Sequence, residues 1–584
     1  MASKRWMISL VAAFAAFSAS ASASPEPTAR PALSGEAADS LNVLSDDDVA
    51  RYVRAFELQD EGDFAAADRE VAAVKDDSLK GYFLAERYLG AGYRATYEEL
   101  KRWMAFYADH PEADDIYALA MKRKPKKEVG PQRPLGRKWR VAEGWDLPPA
   151  LVADYQRTNK AEVQRIEGRV RMLVKDENVA AALKELSGHL ERGAITERQY
   201  DRMRSWAAAG LYYQGHLDGA EALSEEVAKR NGDAAVLARW IAGLVAFREG
   251  DMKRAAEHFS RQAAVVHQDD PLRSAGGFWA ARAALAGGRP DLVAPNLEIA
   301  AKFPYTFYGQ LALAQLGRTP DYDWTPPPVT RQGFAALVAA APSARRAAAL
   351  AQIGLKEEAD IELRWANGLA APPLDKELLA VAAALDLPAA QIDIALTGRA
   401  DYLEAGLYPI PHFEPKSGFA VDRALIYALM RQESKFKTEA TSRVGARGLM
   451  QLMPKTASYM AKDKSLARAA GRDRLYDPAY NLDLGQSYVN HLIRTSARGD
   501  LFQMALAYNG GPGNLSKWKR DLGIEDPLLF IESIPNPESR DFVEKVLTNI
   551  WVYHARLGQT PLTRDKVAAG QLPLYEALDK IAKN

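Results

Sequence analysis

There is no cysteine among the 584 residues. That excludes disulfides, thiolate nucleophiles and Cys-ligated metal centres, and with them the lipid-modified cysteine that would tether an exported chain to a membrane. Histidine is scarce, 8 in all, and none stands in an HExxH or other metal-ligand spacing; no metal and no cofactor is expected. Neither sign of charge is in excess: Lys plus Arg and Asp plus Glu both number 76, so the formal net charge is zero. No global field draws the chain to nucleic acid or to an anionic membrane. After the N-terminus no apolar run approaches the ~20 residues that a spanning helix needs, so no membrane span is expected. No segment is rich in strand-forming residues, and the chain is expected to be nearly all α.

What is present is ordinary globular material, 48% apolar and 26% charged. At roughly 150 residues per domain the length implies two to four domains. The first residues have a distinct order: Lys4 and Arg5, an apolar stretch from Trp6 to Phe17, then small residues ending in Ala21-Ser-Ala23. Positive, apolar, small is the order of a secretory signal peptide. Residues 1–23 are therefore expected to be cleaved, leaving a periplasmic protein that is not a lipoprotein, with 24–40 as a flexible leader.

From about 41 to 328 the sequence reads as Ala-rich helices broken by turns such as Glu61-Gly-Asp63, Glu249-Gly-Asp251 and Gly287-Gly-Arg289. Residues 240–259 read as helix, tight turn, helix, with small and aromatic residues where two antiparallel helices would touch. Residues 57–71 and 211–228 are weaker copies. This is the pattern of helical-hairpin repeats of the tetratricopeptide kind, which stack because one hairpin cannot bury its own apolar face. A basic stretch at 122–140, broken by Pro125, Pro131 and Pro134, reads either as a solvated loop or as a contact to an anionic polymer or partner. Further helices are expected over 329–415, bounded by Pro-rich breaks at 322–328 and 408–415. A compositionally different domain follows over 416–584.

That last segment carries the chemistry. Leu425, Ile426, Leu429 and Met430 form an apolar stripe at helical spacing, and Glu433 falls on the same stripe. A carboxylate there is costly unless it has a partner or a task. Burial favours the protonated form and raises the pKa, as a general acid requires. The plain alternative is an ion pair with Arg431, Arg443 or Arg447. Downstream, Gly445 and Gly448 permit a tight backbone, Ser442 and Gln451 offer hydrogen bonds, and Met450 and Met453 are soft apolar walls or ordinary core.

Glu433-Ser, Ser442 and Gly445-Ala-Arg-Gly-Leu-Met-Gln-Leu-Met-Pro454 together resemble the catalytic motif of the soluble lytic transglycosylases with a goose-lysozyme-like fold. Ala507-Tyr-Asn-Gly-Gly-Pro-Gly513 is similar to that family's second motif. Phe530-Ile-Glu-Ser-Ile-Pro535 with Glu538-Ser-Arg-Asp-Phe542 is similar to a third, and Asn481-Leu-Asp-Leu-Gly485 to a weaker fourth, all in family order. Phe303-Pro-Tyr-Thr-Phe-Tyr-Gly-Gln-Leu-Ala312 resembles a stretch of the large soluble members. The departures are Gly510 for the common Ala, Ser539 for Thr, and Phe542 for Tyr.

The resemblance implies an all-α chain: a helical-hairpin superhelical solenoid followed by a lysozyme-like catalytic domain. It implies cleavage of the MurNAc–GlcNAc β-1,4 bond of peptidoglycan with 1,6-anhydro ends, Glu433 acting first as acid and then as base. Ser442, Gln451, Met453, Tyr508 and Asn509 would meet the sugars, and Glu532 would hold Tyr508 or neighbouring polar groups. Glu439, Asp463 and Asp473 match no catalytic position. Glycan strands are the expected partner, with cell-wall or division proteins on the repeats. The competing expectations are a hydrolase of the same fold and a non-catalytic peptidoglycan-binding scaffold.

Overall fold

The computed structural model describes residues 35–136, 139–140, 149–370, 372–398, 404–469 and 471–581. The expected signal peptide and most of the leader lie outside these residues. The described chain is a succession of α-helices. Its only β-type pairings are the isolated bridges Thr441–Arg447, Arg447–Leu452 and Asp500–Leu574. Among the described residues no helix is long and apolar enough to cross a membrane.

The expected hairpins form, and for the expected reason. Helix Val236–Glu249 ends at Gly250, whose φ of 82° is left-handed; a residue without Cβ meets that requirement at no steric cost. Asp251 then caps helix Met252–Ala264 by accepting the Arg254 N–H at 3.0 Å. Gly243 lets the pair close, since a Cβ there would lie 2.5 Å from the Phe259 ring. Helices Asp46–Asp60 with Phe64–Ala73, and Glu197–Tyr213 with Leu217–Asn231, repeat the arrangement.

The helical array turns back on itself. Leu41, Tyr52, Phe56 and Phe83 share one apolar core with Phe334, Leu350, Leu363 and Leu379. The polar part of this contact is buried too. Arg346 donates to both oxygens of Glu362 at 2.9 and 3.0 Å and to Asp109 at 2.7 Å, and the Tyr82 hydroxyl donates to Glu362 at 2.6 Å. Part of the basic stretch joins this region: Arg140 forms an ion pair with Asp375, so it is an internal tie and not a solvated charge.

The C-terminal domain is gripped from two sides. On one side Phe307 stacks on Trp551 at 5.2 Å, and the Tyr212 and Ser533 hydroxyls are hydrogen-bonded at 2.8 Å. On the other, Arg364 and Asp393 pair with Glu439 and Lys437. Helix Arg423–Glu433 packs along the long helix Pro537–Arg556. Seven successive residues, from Ala424 to Met430, are buried, so this helix is enclosed all round, where the sequence pattern predicts a single apolar stripe.

Candidate functional site

Glu433 is the last residue of that enclosed helix, half-buried, with no hydrogen bond or ion pair among the described residues. The three arginines expected as ion-pair alternatives are engaged elsewhere or exposed. Arg431 donates to the Leu407 carbonyl at 2.9 Å and to Asn549 at 3.0 Å, Arg447 pairs with Asp473 at 3.2 Å, and Arg443 is exposed. Burial, and then the negative charge of Glu538, push the Glu433 carboxyl up to about 8. It therefore holds its proton at neutral pH.

The chain leaves Glu433 through Lys435 and Phe436, both left-handed at φ 51° and 63°, and reaches Ala440. The Ala440 carbonyl accepts the Gly448 N–H at 2.9 Å and Gln451 Nε2 at 3.0 Å. Ser442 closes a turn: its N–H donates to the Ala446 carbonyl and its hydroxyl accepts the Ala446 N–H, both at 3.0 Å. Gly448 has φ 74°, and a Cβ there would lie 2.2 Å from the Leu475 carbonyl oxygen. No other residue fits.

Asn481 is the clamp under this loop. Fully buried, it accepts the Met450 N–H at 2.9 Å and donates to the carbonyls of Arg447 and Leu475 at 3.0 and 2.8 Å. Gly485, one turn on, makes room for the Met450 side chain. That gives the weaker fourth motif a physical role. The two methionines separate: Met450 is core, and Met453 is 39% exposed.

Tyr508 closes the site from the helix Leu501–Gly510, its hydroxyl donating to the Met450 carbonyl at 2.7 Å. Burial, and then the Glu433 carboxyl nearby, hold its own pKa far above the usual tyrosine value. Asn509 accepts from the Ser539 hydroxyl at 2.6 Å, so serine retains the donor that threonine would supply. The Tyr508 ring lies parallel to Phe542, 9° apart at 6.2 Å; the contact uses the ring and needs no hydroxyl. Gly510 lies under Trp518, whose ring a Cβ would meet at 2.7 Å.

Glu532 is tied to the helical array. It is buried and accepts from the Tyr308 hydroxyl of the helical array at 2.5 Å, with Glu544 donating to it as well. It does not hold Tyr508, whose hydroxyl is committed to Met450. Burial and the facing Glu532 keep the Glu544 carboxyl protonated, well above the carboxylate range. Three residues of consequence had no role assigned from sequence: Tyr308, Asn481 and, as an electrostatic neighbour of Glu433, Glu538. All three lie in stretches that resemble the family's motifs, which marked their positions but not their partners. Among the described residues no cluster of His, Asp and Glu could hold a metal.

Comparison with known proteins places this domain. Residues 411–529 match the family model described as the transglycosylase SLT domain. The chain is 36% identical over 146 residues to the soluble lytic murein transglycosylase of Escherichia coli K12, an alignment covering 25% of this chain and 22% of that protein. It is 32% identical over 155 residues to the membrane-bound lytic murein transglycosylase C of Photorhabdus laumondii, covering 23% and 43%. In three dimensions it is similar to the 70 kDa soluble lytic transglycosylase of Escherichia coli. That similarity has a TM-score of 0.50 and 18% identity over 88% of this chain and 98% of that one. A 70 kDa soluble lytic transglycosylase in complex with bulgecin A gives a TM-score of 0.51 at 18% identity and the same coverage. The fold is thus the superhelical array joined to a lysozyme-like helical domain. Residues 411–529 match the transglycosylase SLT domain, and the chain aligns with less than a quarter of the length of the soluble lytic murein transglycosylase it resembles there.

Proposed function

We propose that this protein is a peptidoglycan lytic transglycosylase that cleaves the MurNAc–GlcNAc β-1,4 bond and leaves 1,6-anhydro-MurNAc ends. The observation that carries the reading is the unpaired Glu433 carboxyl, raised to about 8 by burial and by Glu538. Glu433 gives its proton to the glycosidic oxygen, and the C1–O4 bond breaks with GlcNAc leaving as the 4-hydroxyl. The N-acetyl carbonyl of MurNAc meets the developing charge at C1, so the substrate takes the place of the second carboxylate that most glycosidases need. Glu433, now ionised, takes the proton of the MurNAc C6 hydroxyl; O6 closes on C1 and displaces the N-acetyl oxygen. Intramolecular attack has a high effective molarity and consumes no water.

Ser442, Gln451, Tyr508 and Asn509 receive the sugars, and the exposed Met453 offers an apolar edge to them. Glu532 acts at a distance, seating the domain on Tyr308. Residues 41–328 and 329–415 form the repeat and linker parts of an array that holds a glycan strand and offers a face to cell-wall or division proteins, and 416–584 form the catalytic domain. The place of action is the periplasm, reached by way of the N-terminal signal peptide. The function is tested on purified sacculi: wild-type protein releases soluble muropeptides and clears the suspension, and Glu433→Gln leaves it turbid. Clearing by both, or by neither, contradicts the reading.

A further inference from the structure

The loop between Glu433 and the rest of the site is held from outside the catalytic domain. Helix Lys356–Leu369 belongs to the array, and Arg364 on it is 5% exposed. Its Nε donates to Asp360 at 2.9 Å and its terminal nitrogen to Glu439 at 2.6 Å. Asp360 in turn accepts the N–H groups of Ala389 and Ala390 at 3.0 and 3.3 Å, in the first turn of helix Pro388–Thr397. The guanidinium also lies over Trp139, 5.9 Å from the ring. Two array helices therefore fix Arg364, and Arg364 holds Glu439. Two residues earlier, Lys437 pairs with Asp393 of the same second helix at 2.8 Å. Phe436, 2% exposed, borders one small cavity with Ala389 and Phe413.

These anchors bracket a strained segment. Lys435 and Phe436 are consecutive left-handed residues with side chains, a backbone that persists only where surrounding structure over-determines it. The array supplies that over-determination. At the far end Glu439 is followed by Ala440, whose carbonyl fixes Gln451 and Gly448. A continuous chain of bonds thus runs from Arg364 through Glu439 and Ala440 to Gln451, and Glu433 stands at the other end of the same loop.

We infer that Arg364 is a positioning residue for the reaction: through Glu439 it makes the helical array a structural part of the active site, and not only a holder of the glycan strand. This rests on the transglycosylase reading above. Misplacing a catalytic group by an ångström from a distant site costs about 100-fold in rate, so a loosened 434–440 loop is expected to lower kcat with little effect on KM.

The test uses the full-length chain and a short soluble glycan fragment of peptidoglycan, a substrate too small to need the array for holding. Glu439→Ala, Arg364→Met and the double variant are measured beside wild type, with melting curves to establish folding. We expect each single variant to lose about 10–100-fold in kcat with KM changed by less than about 3-fold. The double variant should be no worse than the poorer single one, because residues acting through one contact are not additive. Arg364→Lys, which keeps the charge and one donor, should recover part of the loss. If Arg364→Met does not fold, Glu439→Ala decides, since Glu439 is partly exposed. A folded Glu439→Ala chain with wild-type kcat overturns the proposal, as does a loss confined to KM or an additive double variant. A wild-type chain that leaves the glycan uncut overturns the transglycosylase reading itself, and this inference with it.

Discussion

The Tyr508 hydroxyl donates a 2.7 Å hydrogen bond to the main-chain carbonyl of Met450, tying one helix of the domain to the loop that follows Glu433 in the chain. Tyr508→Phe keeps the ring on Phe542 and removes only that bond. A carbonyl left unpaired in a buried site costs about 1–3 kcal/mol. Calorimetry should show a destabilisation of that size, and glycan turnover should fall roughly tenfold, the rate equivalent of about 1.4 kcal/mol. Unchanged melting and turnover would mean that Met450 is held by Asn481 alone.

On the proposed mechanism the acid form of Glu433 starts the reaction, so kcat should decline as pH rises through about 8. Burial is the larger cause of that position and Glu538 the second. Glu538→Gln removes a negative neighbour, which lowers the Glu433 pKa, and should move the alkaline limb down by up to about 1 pH unit with activity retained. A pH–rate series on both proteins checks this. Abolition of activity by Glu538→Gln would instead indicate a two-carboxylate mechanism.

Glu433 should also cost stability in a defined pH window. Below about 4.5, its ordinary value, folded and unfolded chains both hold the proton; from there to about 8 only the folded chain does. The folded state then binds more protons, so this group's contribution falls with rising pH and levels off above 8. Glu433→Gln should be more stable than wild type at pH 7, by about 1–3 kcal/mol, and equal to it near pH 4. Melting curves at the two values decide; an acid-side difference as large as the neutral one contradicts the assignment.

The return of the array on itself rests on Arg346 and Glu362, buried together with Tyr82. Removing one member of a buried pair strands the other charge, at a cost of about 3–5 kcal/mol. Arg346→Met should therefore raise hydrogen exchange in helices Asp46–Asp60 and Lys356–Leu369 while leaving Pro537–Arg556 protected. Uniform loss of protection would show that the array and the catalytic domain unfold as one unit.

Much of this was legible in the sequence because it is local. Gly250 and Asp251 specify a turn and a cap within a few residues, and the Glu433, Ser442 and Gln451 segment is one short loop with its own glycines. The rest depends on partners far apart in the chain. That Glu532 accepts from Tyr308, 224 positions earlier, is invisible to spacing. Glu439 matches no catalytic position in the sequence, and nothing near it in the chain points to Arg364, 75 positions earlier, beside which it lies. Met450 and Met453 differ in burial because a glycine on another helix, Gly485, admits only the first. Periodicity marks an apolar face, but not that a second element covers the opposite one, as happens around Glu433.

The most direct measurement of the single-glutamate mechanism is the mass of the muropeptides that wild-type protein and Glu433→Gln release from purified peptidoglycan. Wild type should give products lighter by one water than their hydrolytic counterparts, the mark of a 1,6-anhydro end, and Glu433→Gln should give none. Products with free reducing ends, or anhydro products from the variant, would contradict it.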